Sequence, residues 1–288
     1  MGRKRNLEDK RMIFGLTAAL CFGLSDFMVT QATRKVQTLP ALLGIQLIAS
    51  LLLGGYVLTQ SPHIDQSPLV WVGIAGISIV NFAGTLLLYR AFEKGTLSIV
   101  SPIGSGFAVV TAILAFIGGE RLPINSIIGV LLLVIGVLTV TRSSKSIGQQ
   151  VTLSGIPEAI IASICIGFYF WAIGYITPHL GVILPVLVTR IIQFFCAFIL
   201  LRVKKVQLPR IGLSTGLILV VAALLDTGAL LSFNMGQTVD YTTSTTALTS
   251  LYSVVTILMA GWILKEKLTK SQWTGIAIIL LGVIIVSI

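Results

Sequence analysis

Charge is what this chain has least of. Lys, Arg, Asp and Glu make up 10% of its 288 residues, whereas a soluble domain carries roughly a quarter. Acids are the scarcer sign, ten against twenty Lys and Arg, for a net charge of +10. Histidine occurs twice, at His63 and His179, both between apolar runs. No cluster of His, Cys or acids has metal-ligand spacing, which argues against a metalloenzyme. No glycine-rich phosphate loop is present, which argues against direct coupling to ATP hydrolysis. The three cysteines, Cys21, Cys165 and Cys196, lie inside apolar runs, where they read as small packing residues and not as a disulfide framework. Polar segments long enough to fold as a soluble domain are missing too. The chain is expected to be no enzyme and to need neither cofactor nor metal.

What is present is apolar and long. Hydrophobic residues make up 55% of the chain and the mean hydropathy is +0.99. A helix needs roughly 20 apolar residues to cross the ~30 Å hydrocarbon core. Ten such runs are expected to span: 12–30, 39–59, 69–92, 97–117, 124–141, 153–176, 181–201, 211–234, 242–264 and 272–288. The fold class is therefore an all-α, multi-pass integral membrane protein of ten transmembrane helices. With nine runs following it, the first is read as a span and not as a cleaved signal peptide. Lysines and arginines gather beside the run ends, where they serve topology and lipid headgroups, so lipid and not nucleic acid is the expected polyanionic partner. Arg3, Lys4, Arg5, Lys10 and Arg11 favour a cytoplasmic N-terminus, while Arg90, Lys94, Arg142, Lys145 and the cluster Arg202 to Arg210 vote the other way.

The chain repeats itself. Gly119-Glu120-Arg121-Leu122 precedes an apolar helix with Gly129 and Gly136. Lys265-Glu266-Lys267-Leu268 precedes one with Gly275 and Gly282, at an offset of 146. Cys21 and Gly23 fall on Cys165 and Gly167 at 144, and Asn81 and Tyr89 on Asp226 and Asn234 at 145. The division expected is 1–146 and 147–288, two copies of five spans. Since five is odd, the second copy must insert upside down, which builds two gates around one site. Glycines seven apart mark one close-packing helix seam. Glu120 and Glu266 read as caps of the helices that follow them.

The segment Tyr89-Arg90-Ala91-Phe92-Glu93-Lys94-Gly95, the Ser98, Ser101 and Pro102 helix start, the Gly119-Glu120-Arg121-Leu122 corner and their second-copy counterparts resemble the drug/metabolite transporter superfamily, specifically its EamA-type ten-helix permeases. That resemblance covers the whole chain as two tandem units. It implies a bundle of two inverted five-helix repeats around a central cavity, and secondary transport of small metabolites such as amino acids, sugars or their relatives, often as efflux. A plasma-membrane permease is expected, with a sugar uptake permease of the same superfamily as the alternative. A receptor or scaffold is the reading from another class, and it leaves the duplication unexplained.

Ionisable groups inside a span cost about 2.5–3.5 kcal/mol each on insertion scales and mark functional positions by default. Asp26 shares a small, polar stripe with Gly23 and Thr30, and is a candidate ammonium or proton site. Asp226 lies mid-span with Asn234 two turns on, and its repeat-mate Asn81 has Thr85 and Tyr89 on its face. A carboxyl removed from water holds its proton more tightly, which makes Asp226 the first candidate for proton coupling. Arg190, with Gln193 on its face, either binds a substrate carboxylate or phosphate, or pairs with Asp226 or Asp26. Tyr89, Tyr169, Trp171 and Tyr252 are candidate pocket walls. Ser101-Pro102 and the run Thr242 to Thr246 are expected to loosen the starts of the fourth and ninth spans.

Overall fold

The computed structural model describes residues 2–60, 66–120, 124–142, 154–238, 242–266 and 269–287. Helices are the only regular structure among them, because an apolar run in hydrocarbon must satisfy every backbone N–H and C=O within itself. They are α1 (Gly2–Val36), α2 (Thr38–Leu58), α3 (Pro68–Lys94), α4 (Leu97–Gly104), α5 (Phe107–Ile117), α6 (Ile124–Arg142), α7 (Ile156–Leu180), α8 (Ile183–Val203), α9 (Leu213–Gln237), α10 (Thr242–Thr249), α11 (Tyr252–Ile263) and α12 (Lys270–Ser287). Among the described residues, eight segments are long and apolar enough to cross a membrane, the pairs α4–α5 and α10–α11 each counting as one. The fifth and tenth expected spans are the helices α6 and α12, of 19 and 18 residues.

Polarity is distributed inside out. Leu51, Leu58, Ile117, Val203 and Trp262 are exposed, while Thr30, Gln46, Ser78, Thr189, Arg190 and Gln193 are buried. That is the arrangement expected when the surrounding medium is hydrocarbon and polar side chains find partners only between helices.

Packing repeats under exchange of the two halves. Helix α1 packs on α9 as α7 packs on α3, and α1 on α11 as α7 on α5, while α2 meets α8 and α6 meets α12. The atoms agree. A Cβ on Gly23 would stand 2.7 Å from the Tyr252 carbonyl oxygen, and one on Gly167 would stand 2.7 Å from that of Phe107. Thr256 Oγ1 donates to the Gly23 carbonyl at 3.3 Å, and Thr111 Oγ1 to that of Gly167 at 2.9 Å. In the α6–α12 seam a Cβ on Gly136 would lie 2.9 Å from the Gly275 oxygen, and one on Gly282 would lie 2.8 Å from that of Gly129. Glycine is required at these four places by the approach of two backbones.

The fourth and ninth expected spans are each broken in two, and the breaks lie deeper than the helix starts where loosening was expected. Ser105 Oγ bonds back to the Pro102 carbonyl at 2.7 Å, and Ser250 Oγ to that of Ala247 at 2.6 Å. Such back-bonding competes with the helical ladder. The chain then tightens: Gly106 N–H donates to Ile103 O at 3.0 Å, and Leu251 N–H to Leu248 O at 3.2 Å. The bonds of one break recur in the other at an offset of 145.

The acidic corners hold the frame from unexpected directions. Glu266 accepts from the backbone N–H groups of Leu97 at 3.3 Å and Ser98 at 3.0 Å. It therefore caps α4 in the other half, because the fold brings the α11–α12 corner onto the start of α4. Glu93 accepts from the Thr38 N–H at 2.9 Å and from the Thr38 hydroxyl, at the start of α2. Arg34 Nη2 donates to the Gly95 carbonyl at 2.9 Å, closing the end of α3. Helix N-termini favour anions and C-termini cations, so these motif residues are structural ties.

Candidate functional site

Between the halves lies an open cavity with walls from α1, α3, α5, α7, α8, α9 and α11. Arg190 lies in its wall. The side chain is 2% exposed, and its Nη1 donates to Asp226 Oδ2 at 2.6 Å and to Gln46 Oε1 at 3.1 Å. Asp226 faces the opening, with its side chain 16% exposed. A buried guanidinium cannot shed its charge, so it needs this partner. Its Nε and Nη2 make no hydrogen bond, and neither does Gln193 Oε1 one turn further along α8. The residue before Arg190 anchors the helix: Thr189 Oγ1 lies 2.9 Å from Ser78 Oγ and 3.2 Å from the Tyr169 hydroxyl. Helix α8 is thereby tied to α3 and α7 beside the charge it carries.

Asp26 enters from α1, on the wall it shares with Asn81, Tyr89 and Asp226. It is 8% exposed, and its Oδ2 has no hydrogen-bond partner. The charged side chains lining the cavity are thus two acids and one base, Asp26, Asp226 and Arg190.

Four aromatic side chains close a ring against this space. Phe22 meets Phe170 at 6.1 Å between centroids, Phe170 meets Phe107 at 4.8 Å, Phe107 stacks on Tyr252 at 6.0 Å, and Tyr252 returns to Phe22 at 6.3 Å. Phe107 and Tyr252 are the first residues of α5 and α11, immediately after the two breaks. Phe22 is one turn before Asp26, so the ring sits on that side of the acid. The Tyr252 hydroxyl donates to the Ser101 carbonyl at 3.4 Å.

A model of the EamA-like transporter family matches residues 10–142 and again residues 153–288. The chain belongs to the EamA-like transporter family. It is a multi-pass integral membrane protein of the drug/metabolite transporter superfamily, and the family's role is membrane transport. An uncharacterised protein of Methanocaldococcus jannaschii is 29% identical over 140 residues, which are 47% of this chain and 99% of that protein. That relative is about one repeat long. A solved crystal structure, 16% identical, superposes with a TM-score of 0.72 over 96% of both chains, which shows the fold alone.

In this EamA-like chain, Asp26, Asn81, Tyr89, Arg190, Asp226 and Tyr252 are brought to one cavity. Asn234 is not: it is buried, and its Nδ2 donates to the Val182 carbonyl at 3.1 Å, tying α9 to the start of α8. Leu230, one turn from Asp226, still lines the cavity, and Asn234, one turn further, does not. Trp171 also stands aside, packed against Phe168 and Tyr175. Sequence reasoning missed Gln46, Phe107 and Phe170. A lone amide within the apolar run of α2 was a usable signal for Gln46. Phenylalanine in a membrane helix carries none.

Proposed function

We propose that the chain is a secondary active transporter that carries a small polar metabolite, an amino acid or a related compound, across the cell membrane. The solute is held in the central cavity, and protons are the coupling ion. The observation that carries this reading is the Arg190–Asp226 pair, buried yet facing open space and left with unfilled donors. A purely structural pair would satisfy them within the protein. The duplicated packing supports alternating access, in which the halves exchange conformations around a fixed site. In this reading α6 and α12 complete ten spans, the second five inserted inverted to the first. The aromatic ring is the closed gate of this conformation, built at the two helix breaks because a broken helix can bend there without losing a full turn of bonds.

Reconstitution into proteoliposomes tests it, with flux of a panel of amino acids, amines, organic anions and sugars followed under an imposed pH gradient. Gradient-dependent accumulation of at least one panel member, lost on Arg190→Met, is the expected result. A folded, reconstituted protein that moves no member of the panel in either direction would count against transport.

A further inference from the structure

Resting on the transport reading, we infer that Asp26, and not Asp226, is the acid at which a proton and the ammonium group of the solute alternate, so that the solute carries a net charge of +1. The first expectation was Asp226. Its carboxylate is committed: it holds Arg190 at 2.6 Å, and a proton placed on it would strand a guanidinium that is 2% exposed and cannot neutralise itself. Asp26 has no such commitment. Its Oδ2 is buried without a hydrogen-bond partner, and the acid lines the same cavity.

Charge balance does the rest. With every group ionised, Asp26, Asp226 and Arg190 leave the cavity wall at −1, and a buried unpaired charge is strongly unfavourable. No further cation comes from the neighbours. Helix α9 presents Asp226, α3 presents Tyr89, α11 presents Tyr252, and across the cavity α7 and α8 present Tyr169 and the paired Arg190. Helices α2, α4 and α10, which also pack on α1, add no titratable side chain to the wall. The missing positive charge is therefore brought in: a proton on Asp26 when the cavity is empty, an ammonium when it is loaded. Both together would overshoot, so one displaces the other.

The surroundings suit an ammonium. Phe22 lies one turn along α1 from Asp26 and also lines the cavity, and aromatic faces attract such cations. The unfilled Nε and Nη2 of Arg190 then take a carboxylate or carbonyl of the same solute. Monocationic amines and dibasic amino acids fit. A zwitterion in place of the proton would leave the wall at −1, so zwitterions do not displace it.

The test uses purified, full-length protein and four probes of graded charge: phenethylamine, lysine, phenylalanine and phenylacetate. In weakly buffered detergent solution, phenethylamine and lysine should each release one proton per molecule bound, and phenylalanine and phenylacetate none. In proteoliposomes the cation flux should drive an equal proton counterflux and be insensitive to a potassium–valinomycin potential. Asp26→Asn should abolish proton release, with an unchanged gel-filtration profile. Should that variant not fold, Asp26→Glu takes its place: a shift in the pH at which proton release is half-maximal is expected, and an unshifted profile would overturn the inference. Cation transport without proton release, transport of phenylalanine in preference to both cations, or proton release undiminished in a folded Asp26→Asn would each overturn the inference while leaving transport standing. A parent that moves none of the broader panel overturns both.

Discussion

Replacing Arg190 by methionine, Asp226 by leucine, and both together isolates the energy of the buried pair. Two unit charges about 4 Å apart attract by about 4 kcal/mol at an effective dielectric of about 20, much of it offset by the cost of taking both from water. Removing one partner leaves the other uncompensated, at about 3–5 kcal/mol, whereas removing both in favour of apolar groups is nearly neutral. The two single changes should differ. In Asp226→Leu the guanidinium is left with only Gln46 Oε1, at 3.1 Å, and cannot lose its charge. In Arg190→Met the remaining carboxyl is 16% exposed and keeps contact with water in the cavity. Asp226→Leu should therefore sit near the top of the range and Arg190→Met near or below the bottom, and with the double change nearly neutral the double-mutant coupling should be about 6–8 kcal/mol. Ordinary interhelical hydrogen bonds in membranes average only about 0.6 kcal/mol, so the pair should stand out. Reversible unfolding in mixed detergent micelles measures all four proteins. Single effects that add to the double within about 0.5 kcal/mol would refute the claim that each charge is buried for want of any partner but the other.

Gly136→Val forces a Cβ to within 2.6 Å of Ile279 Cγ1 and 2.9 Å of the Gly275 oxygen; overpacking of about 1–3 kcal/mol is expected, read as a lower unfolding midpoint, and an unchanged midpoint would contradict the seam. Glu266→Gln keeps the shape of the α4 cap but removes its charge, and should cost about 0.5–1 kcal/mol. Hydrogen exchange would show it as faster exchange at Leu97 and Ser98. Phe107→Ala removes one side of the aromatic ring and should let solute leak down its gradient without proton movement, a loss of coupling visible as flux insensitive to the pH gradient. Thr111→Val and Thr256→Val each remove one hydroxyl bond to a glycine carbonyl in equivalent seams; costs near 0.6 kcal/mol each should add in the double variant, checked by the same unfolding assay.

Much of the frame is readable in the sequence. Apolar run length marks where helices must lie, and a spacing of seven between glycines survives duplication because a close backbone seam tolerates nothing larger. The buried charges were readable for a similar reason: Asp26, Arg190 and Asp226 are too unfavourable in hydrocarbon to persist without purpose. Partners were another matter. Arg190 was compatible with either acid or with substrate, and helical periodicity assigns a side chain to a face without saying what stands opposite. Asn234 shows the same gap, since two turns along α9 were enough to take it from the cavity to the Val182 carbonyl. The helix breaks at Ser105 and Ser250 look, as sequence, like any hydroxyl in a membrane helix.

By itself, then, the sequence determined the solvent, the helical class, the duplication and the identity of the costly residues, because each follows from composition or from local spacing. The tertiary structure decided which acid is bound to Arg190 and which is left open, that Glu266 caps a helix of the other half, and that four aromatic rings from four helices meet. Those are contacts between segments far apart in the chain. They depend on how the two halves are laid against each other, which no local property of either half contains.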